Sequence, residues 1–168
     1  MAETKPVVGV VMGSDSDLET MKRCVDQLRA FGIGVEVRVI SAHRTPEAAH
    51  EYAKSAAERG LKVLIAAAGM SAALSGVLAA NTILPVIGVP INSGPLAGVD
   101  AAVSTLQMPP GVPVACMAIG AAGATNAAIL AAQILALSDT KLAAKLAQFK
   151  QDQAKKVAAK DAEIQKGL

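Results

Sequence analysis

Aromatic side chains are scarce in this sequence. Of 168 residues, one is Tyr, two are Phe and none is Trp, although hydrophobic residues make up 52% of the chain. Proteins that bind single-stranded nucleic acid stack bases on aromatic rings, so the sequence argues against that class. The apolar residues are mostly small and aliphatic, with an excess of Ala, and we expect oligomerisation to cover part of that surface.

An excess of charge of one sign is also lacking. Lys and Arg total 16 and Asp and Glu total 14, a formal net charge of +2, which predicts no nucleic-acid partner. No apolar run reaches the ~20 residues that a membrane helix needs, because Gly69 and Ser71 interrupt residues 64–80. We therefore expect neither a nucleic acid nor a membrane among the partners.

Cysteine is rare, and a targeting pattern is missing. The two cysteines, Cys24 in a predicted helix and Cys116 in a predicted strand, are too few and too far apart for a metal cluster. Buried, reduced thiols are typical of cytosolic proteins. Residues 1–5 lack the basic-then-apolar pattern of a signal peptide. These features predict a cytoplasmic protein without a metal site.

Strands and helices alternate along the chain. The run Val7–Met12 (VVGVVM) is apolar throughout and rich in β-branched residues, as in strands buried on both faces. The predicted strands span residues 7–12, 35–40, 63–67, 86–89 and 114–119, and helices begin near residues 18, 46, 72, 99 and 125. This alternation predicts an α/β fold with a five-stranded, doubly wound parallel sheet whose strand-to-helix loops share the ligand-binding edge.

The length fits one domain, residues 1–168, with a core over residues 6–137. Beyond Ser138, a few Leu, Phe, Val and Ile stand among many Lys, Gln, Asp and Ala. This pattern predicts a long amphipathic C-terminal helix, a helical extension over residues 139–165. The extension either packs on its own domain or forms an arm on a neighbouring subunit.

The loop after the first strand, residues 13–17, offers an anion-binding pattern. Backbone N–H groups at a helix N-terminus bind anions, and Ser14 and Ser16 can donate to a phosphate. Asp17 would repel a phosphate but can accept hydrogen bonds from ribose hydroxyls, as the acidic residue of dinucleotide-binding folds does. Ordinary capping of the helix by Ser14 or Asp15 is the alternative.

The loop after the second strand, residues 41–45, places an imidazole beside a guanidinium. His43 can exchange protons near neutral pH and Arg44 can clamp a phosphate, while Thr45 is the predicted cap of the next helix. The alternative is a surface pair without a role. His50, the other histidine, falls inside a predicted helix and faces solvent, which makes it structural.

The loop after the third strand, residues 66–76, has almost no ionisable side chains. Such a lining, with Gly69 in it, lets the backbone approach an uncharged molecule or a planar ring closely. A tightly packed crossover is the alternative. Later in the chain, Gln107 and Asn126 add amide groups, and Asn126 is either a helix cap or a ligand amide.

These motifs in this order resemble the N5-carboxyaminoimidazole ribonucleotide mutases, the family also called the catalytic subunit of phosphoribosylaminoimidazole carboxylase. The resemblance runs from about Val7 to Leu137 and rests on G-S-D-S-D, S-A-H-R-T-P, A-A-A-G-x-S-A-A-L-S-G, Q-M-P-P-G-V-P-V and A-I-G-x-A-G-A-x-N-A-A. It implies a three-layer, flavodoxin-like fold, a homo-octamer and no cofactor. It also implies a step of purine biosynthesis, in which a carboxylate moves from an exocyclic nitrogen to ring carbon four through transient release and recapture of CO2.

The resemblance also implies roles for individual residues. His43 matches the family's acid–base group. Ser14, Asp17 and Arg44 match the positions that hold the ribose phosphate, and Ser41 and Gly69 match positions lining the same pocket. Further positions of that pocket are Gly13, Ser16, Ala68 and Leu74.

The third loop departs from the mutase pattern, which reads G-G-A-A-H-L-P-G where this chain has residues 69–76. Ala73 replaces the family's second histidine, and Ser75 is similar to the related class that carboxylates aminoimidazole ribonucleotide directly with CO2. In the fifth loop, Ala121 replaces a common Lys. The motif around His43 follows the mutase class, so carboxylate transfer is the preferred interpretation. Direct carboxylation, a lyase activity, and a non-catalytic nucleotide-binding module are the alternatives.

Overall fold

The computed structural model describes residues 5–167. Within them lie the strands β1 (Val8–Met12), β2 (Val35–Val39), β3 (Val63–Ala68), β4 (Val86–Pro90) and β5 (Ala115–Cys116). All neighbouring pairs are parallel, and the strand order is β2-β1-β3-β4-β5. The predicted five-stranded, doubly wound parallel sheet of flavodoxin-like order is therefore confirmed.

Helices follow the strands along the chain. They are α1 (Leu18–Ala30), α2 (Pro46–Ala56), α3 (Leu74–Ala80), α4 (Val99–Leu106), α5 (Ala121–Ala136) and α6 (Thr140–Gly167). A single 3₁₀ turn precedes α1. Right-handed crossovers in this strand order put α1 on one face of the sheet and α2, α3 and α4 on the other.

Strand burial explains where the core sits. Every residue of β1 and β4 is buried, as expected for strands covered on both faces. Because β2 lies at the edge of the sheet, most of it is exposed, and its Glu36 pairs with Arg59 at 2.7 Å. Charges on an edge strand oppose pairing with another chain.

The described chain divides into two compact units, one up to Ala131 and one from Ala132 onward. The first unit carries the sheet and α1 to α4. In the second unit, the Asp139 carboxylate accepts a hydrogen bond of 3.0 Å from the Leu142 N–H and so caps α6. The predicted long C-terminal helix is confirmed, and residues 151–167 of it are exposed throughout.

Several predicted boundaries were wrong. Strand five is shorter than residues 114–119, since only Ala115 and Cys116 pair with β4. The helix predicted to begin near residue 125 is α5, which starts at Ala121. Asn126 is therefore an exposed residue inside α5 and does not cap it. Thr45 precedes α2, but its hydroxyl donates to the Ser41 carbonyl and makes no capping bond.

The two cysteines lie in the predicted elements. Cys24 is fully buried in α1, and burial raises the pKa of its thiol to about 12. Cys116 is only partly buried, contrary to the prediction.

Within residues 5–167, no helix combines the length and apolar character needed to cross a bilayer. The prediction that residues 1–5 lack a signal peptide concerns residues 1–4 in the main, and these lie outside the described residues.

Candidate active site

A cavity of about 720 Å³ opens at the carboxyl ends of β1, β2 and β3. Open parallel sheets bind ligands at this edge, next to the point where the strand order reverses. All ten residues predicted for the pocket line it: Gly13, Ser14, Ser16, Asp17, Ser41, His43, Arg44, Ala68, Gly69 and Leu74. Three loops that are distant in sequence thus form one site.

The loop after β1 is organised by its own side chains. The Ser14 hydroxyl accepts a hydrogen bond of 3.3 Å from the Ser16 N–H, and the Asp17 carboxylate accepts one of 3.3 Å from the Ser14 N–H. This reciprocal pattern is a capping box, so the capping alternative is correct for Ser14. Capping and ligand binding are compatible, because both hydroxyls still line the cavity.

Asp17 is a buried carboxylate at the end of this loop, in the 3₁₀ turn that precedes α1. Burial raises the pKa of Asp17 above its ordinary value of 3.8, although hydrogen bonds from the Ser14 N–H and the Ser16 hydroxyl act in the opposite direction. A carboxylate with so little water around it gains more from a donor than an exposed one does. Hydroxyl groups of a ligand can supply such donors.

Arg44 links the first two loops. Its guanidinium donates a hydrogen bond of 3.2 Å to the Gly13 carbonyl, and its Nε donates one of 3.4 Å to the Ser41 hydroxyl. The Ser41 hydroxyl also accepts a 3.2 Å bond from the Arg44 N–H. The cation is therefore held above the first loop, where it adds positive charge to backbone N–H groups that already favour an anion.

His43 lies in the turn between β2 and α2 and is exposed in the cavity lining. Within the described chain, no hydrogen bond holds its imidazole. Both ring nitrogens are thus open to a ligand. His50, in contrast, is exposed on α2 away from the cavity, as predicted.

The loop after β3 forms the apolar side. Gly69 leaves room for the Ser93 side chain, because a Cβ at residue 69 would overlap the Ser93 hydroxyl. Five lining residues were not among those predicted, namely Ala42, Met70, Ser71, Ala73 and Ser93. Ser93 follows β4, and its position directly after a buried strand was the available signal.

Two predicted amides do not take part. Neither Gln107 nor Asn126 lines the cavity. Among residues 5–167 there is also no group of three or more His, Cys, Asp or Glu side chains arranged to hold a metal ion. The side chains that line the cavity can exchange protons, stabilise charge and form hydrogen bonds with a ligand.

Comparisons with known proteins agree with this geometry. A family model described as AIR carboxylase, where AIR is aminoimidazole ribonucleotide, matches residues 7–156. The N5-carboxyaminoimidazole ribonucleotide mutase of Mycobacterium tuberculosis is 53% identical over 165 residues, which cover 98% of this chain and 94% of that protein. The mutase of Bacillus subtilis is 56% identical over 142 residues, which cover 84% and 88%.

Solved structures agree as well. The crystal structure of Treponema denticola PurE is 33% identical, has a TM-score of 0.85, and covers 94% of this chain and 98% of its own. The resemblance drawn from the motifs is confirmed, because the family model spans nearly the whole chain. This chain belongs to the AIR carboxylase family.

Proposed function

We infer that this chain is an isomerase of purine biosynthesis, which converts N5-carboxyaminoimidazole ribonucleotide to 4-carboxyaminoimidazole ribonucleotide. The relatives named as mutases match it over most of their length at 53% and 56% identity. The observation that carries the inference is the cavity itself, where one imidazole, one guanidinium and a buried carboxylate meet at the ends of the strands.

Each polar group suits one part of such a substrate. Arg44 and the hydroxyl of Ser14, beside the backbone N–H groups of the first loop, suit the phosphate. The buried Asp17 carboxylate suits the ribose hydroxyls. Ser41 and Gly69 line the same cavity and can contact the rest of the substrate.

His43 is the proposed acid–base residue. In the first step the N–C bond to the carboxylate breaks, the exocyclic nitrogen takes a proton, and CO2 is released in the cavity. In the second step a C–C bond forms between ring carbon four and CO2, and that carbon loses its proton. One imidazole can give and take these protons in turn.

Replacing the imidazole tests the assignment. We expect His43→Asn to lower kcat by about 10²- to 10⁴-fold, because His43 is the one imidazole among the described residues that line the cavity. His50→Asn is the matched control, since it removes the other histidine from an exposed position outside the cavity. Normal turnover by His43→Asn, with conversion followed by chromatography, would reject the role.

Direct carboxylation is the second candidate, favoured by Ala73 in the cavity lining where mutases have a histidine. Turnover of aminoimidazole ribonucleotide with bicarbonate, compared with turnover of the N-carboxylated substrate at equal concentration, separates the two reactions. Tight binding of either nucleotide without product would support a non-catalytic module instead.

We also propose that the enzyme is a cytoplasmic oligomer, with the octamer that the resemblance implies. Val99, Val103 and Leu106 form a stripe on α4, and each is more than half exposed. An apolar stripe of this spacing favours contact with another protein surface. We propose one catalytic domain, with a core over residues 6–137 and a C-terminal helical extension over residues 139–165.

A further inference from the structure

Thr45 makes three hydrogen bonds to a single residue across the turn that follows β2. Its hydroxyl accepts a 3.1 Å bond from the Ser41 N–H and donates a 2.9 Å bond to the Ser41 carbonyl. Its own N–H donates a further bond of 2.9 Å to the same carbonyl. Both backbone polar groups of Ser41 are therefore tied to the residue four positions later. These bonds close a turn of five residues with His43 at its centre.

The neighbours of Thr45 restrict its conformation. Its φ of −138° and ψ of 57° lie outside the helical region, which the following Pro46 disfavours. The side chain is β-branched and therefore stiff about its first torsion angle. Holding the hydroxyl against Ser41 thus costs little conformational entropy.

Both ends of the turn are attached to packed elements. Before the turn, the N–H of the buried Ile40 donates a 2.8 Å bond to the Met12 carbonyl of β1. After it, the N–H of the buried Ala49 in α2 donates a 3.2 Å bond to the Thr45 carbonyl. The sheet and α2 therefore fix where the turn begins and ends, and the Thr45 hydroxyl holds these two ends together.

His43 and Arg44 depend on this turn to different degrees. The Arg44 guanidinium donates to the Gly13 carbonyl at 3.2 Å and to the Ser41 hydroxyl at 3.4 Å, so contacts of its own also hold this side chain. The His43 imidazole lines the cavity without a hydrogen bond to any of residues 5–167. Its position follows from the backbone that carries it and from rotation about its own side-chain bonds. A shift of the turn would therefore displace the imidazole more than the guanidinium.

We propose that Thr45 is a positioning residue for His43, because its hydroxyl fixes the backbone from which the imidazole reaches the substrate. This inference rests on the proposed function. Thr45 does not line the cavity, and it exchanges no proton with the substrate. Since Thr45 is exposed, water can satisfy the Ser41 N–H once the hydroxyl is removed, but water does not hold residues 41 and 45 together.

The variant Thr45→Val tests the proposal, because it removes the hydroxyl and keeps the β-branched shape. We expect kcat to fall about 10- to 100-fold, the loss that displacement of a reacting group by about 1 Å produces. KM should stay within about twofold, since Arg44 keeps its contact with Gly13. Thr45→Ser restores the hydroxyl and should return kcat to within about threefold of the wild type. Thermal midpoints show that each variant is folded.

Thr82→Val is the matched control, since its hydroxyl accepts a 3.3 Å bond from the Leu84 N–H in a loop outside the cavity. It should leave kcat unchanged. Thr45→Ala removes the hydroxyl without adding a methyl group, and it decides the question if Thr45→Val does not fold.

Three results would overturn the proposal while leaving the proposed function intact, provided that the wild type converts the N-carboxylated ribonucleotide. These are an unchanged kcat in the folded variants without the hydroxyl, a rise in KM as large as the fall in kcat, and a failure of Thr45→Ser to recover kcat. An equal loss in Thr82→Val would also overturn it. A wild-type chain that forms no C-carboxylated product would overturn the proposed function, and this inference with it.

Discussion

At the scale of single residues, the site depends on side chains whose local chemistry is set by their neighbours. Asp17 is buried but accepts two hydrogen bonds from its own loop. Arg44 is exposed but is tied to a carbonyl of another loop. His43 is exposed like Arg44, but its imidazole makes no hydrogen bond with the described residues. Binding groups are thus fixed in place, while the proposed proton carrier can move.

The raised pKa of Asp17 predicts a pH dependence of stability. A group whose pKa is higher in the folded than in the unfolded chain stabilises the fold below its unfolded value, here about 3.8, and that contribution is lost as pH rises through the folded pKa. At pH 7 the buried charge therefore lowers the free energy of unfolding. We expect Asp17→Asn to be more stable than the wild type at pH 7, with the difference shrinking as pH falls from the folded pKa of Asp17 towards the unfolded value of about 3.8 and staying constant below it.

The same substitution should weaken substrate binding. An amide accepts fewer and weaker hydrogen bonds from ribose hydroxyls than a carboxylate, so KM should rise at least roughly tenfold. Urea unfolding at pH 7 and pH 4, together with steady-state kinetics, measures both effects. Asp26→Asn, which removes an exposed carboxylate of α1 outside the cavity, is the control. A lower stability of Asp17→Asn at pH 7 would contradict the assigned cause of the pKa shift.

At the scale of elements, a glycine in the first strand decides how α2 packs on the sheet. Gly9 faces Tyr52 of α2, and a Cβ at residue 9 would overlap the tyrosine hydroxyl. That hydroxyl is buried beside the Glu36 and Arg59 side chains. Close packing in this layer therefore depends on the absence of a side chain at residue 9.

This packing predicts that Gly9→Ala destabilises the chain. Overpacking against Tyr52 and the Leu64 side chain, which would be 3.0 Å away, should cost about 1–3 kcal/mol. Tyr52→Phe removes the hydroxyl that a Cβ at residue 9 would overlap, so it should restore part of the loss in the Gly9→Ala background. Urea denaturation midpoints of the two single variants and the double variant measure this coupling. Purely additive effects would contradict the steric account.

At the scale of the whole molecule, apolar surface remains on the outside of the first unit. The α4 stripe of Val99, Val103 and Leu106 is exposed although its spacing is that of a buried helical face. The scarcity of aromatic residues and the excess of small ones also favour association, since surfaces of small side chains pack closely against a second copy.

We therefore expect Val103→Glu to shift the assembly to smaller species. A charge in the middle of an apolar contact loses its hydration without gaining a partner, which weakens association. Sedimentation velocity at several concentrations measures the change, and Lys22→Glu, on the exposed face of α1, is the control for added negative charge. An unchanged sedimentation profile for Val103→Glu would show that copies associate through another surface.

The sequence by itself determined the alternation of strands and helices, the parallel sheet and the residues that meet at its edge. Apolar runs such as Val8–Met12 and loop motifs such as those around Ser14 and His43 are local patterns, and the right-handed crossover then leaves few topologies open. The family could be read from the same motifs in order. The ends of helices were predicted less well. The sequence suggests Thr45 and Asn126 as helix caps, but neither side chain makes a capping hydrogen bond.

Only the tertiary structure decided which loops touch. The close approach of Gly69 to the Ser93 side chain and of Gly9 to the Tyr52 hydroxyl occurs between segments far apart in sequence. No local pattern encodes such contacts, because they depend on how two packed elements share one small volume. For the same reason the buried state of Asp17, and with it the direction of its pKa shift, emerged only from the folded chain.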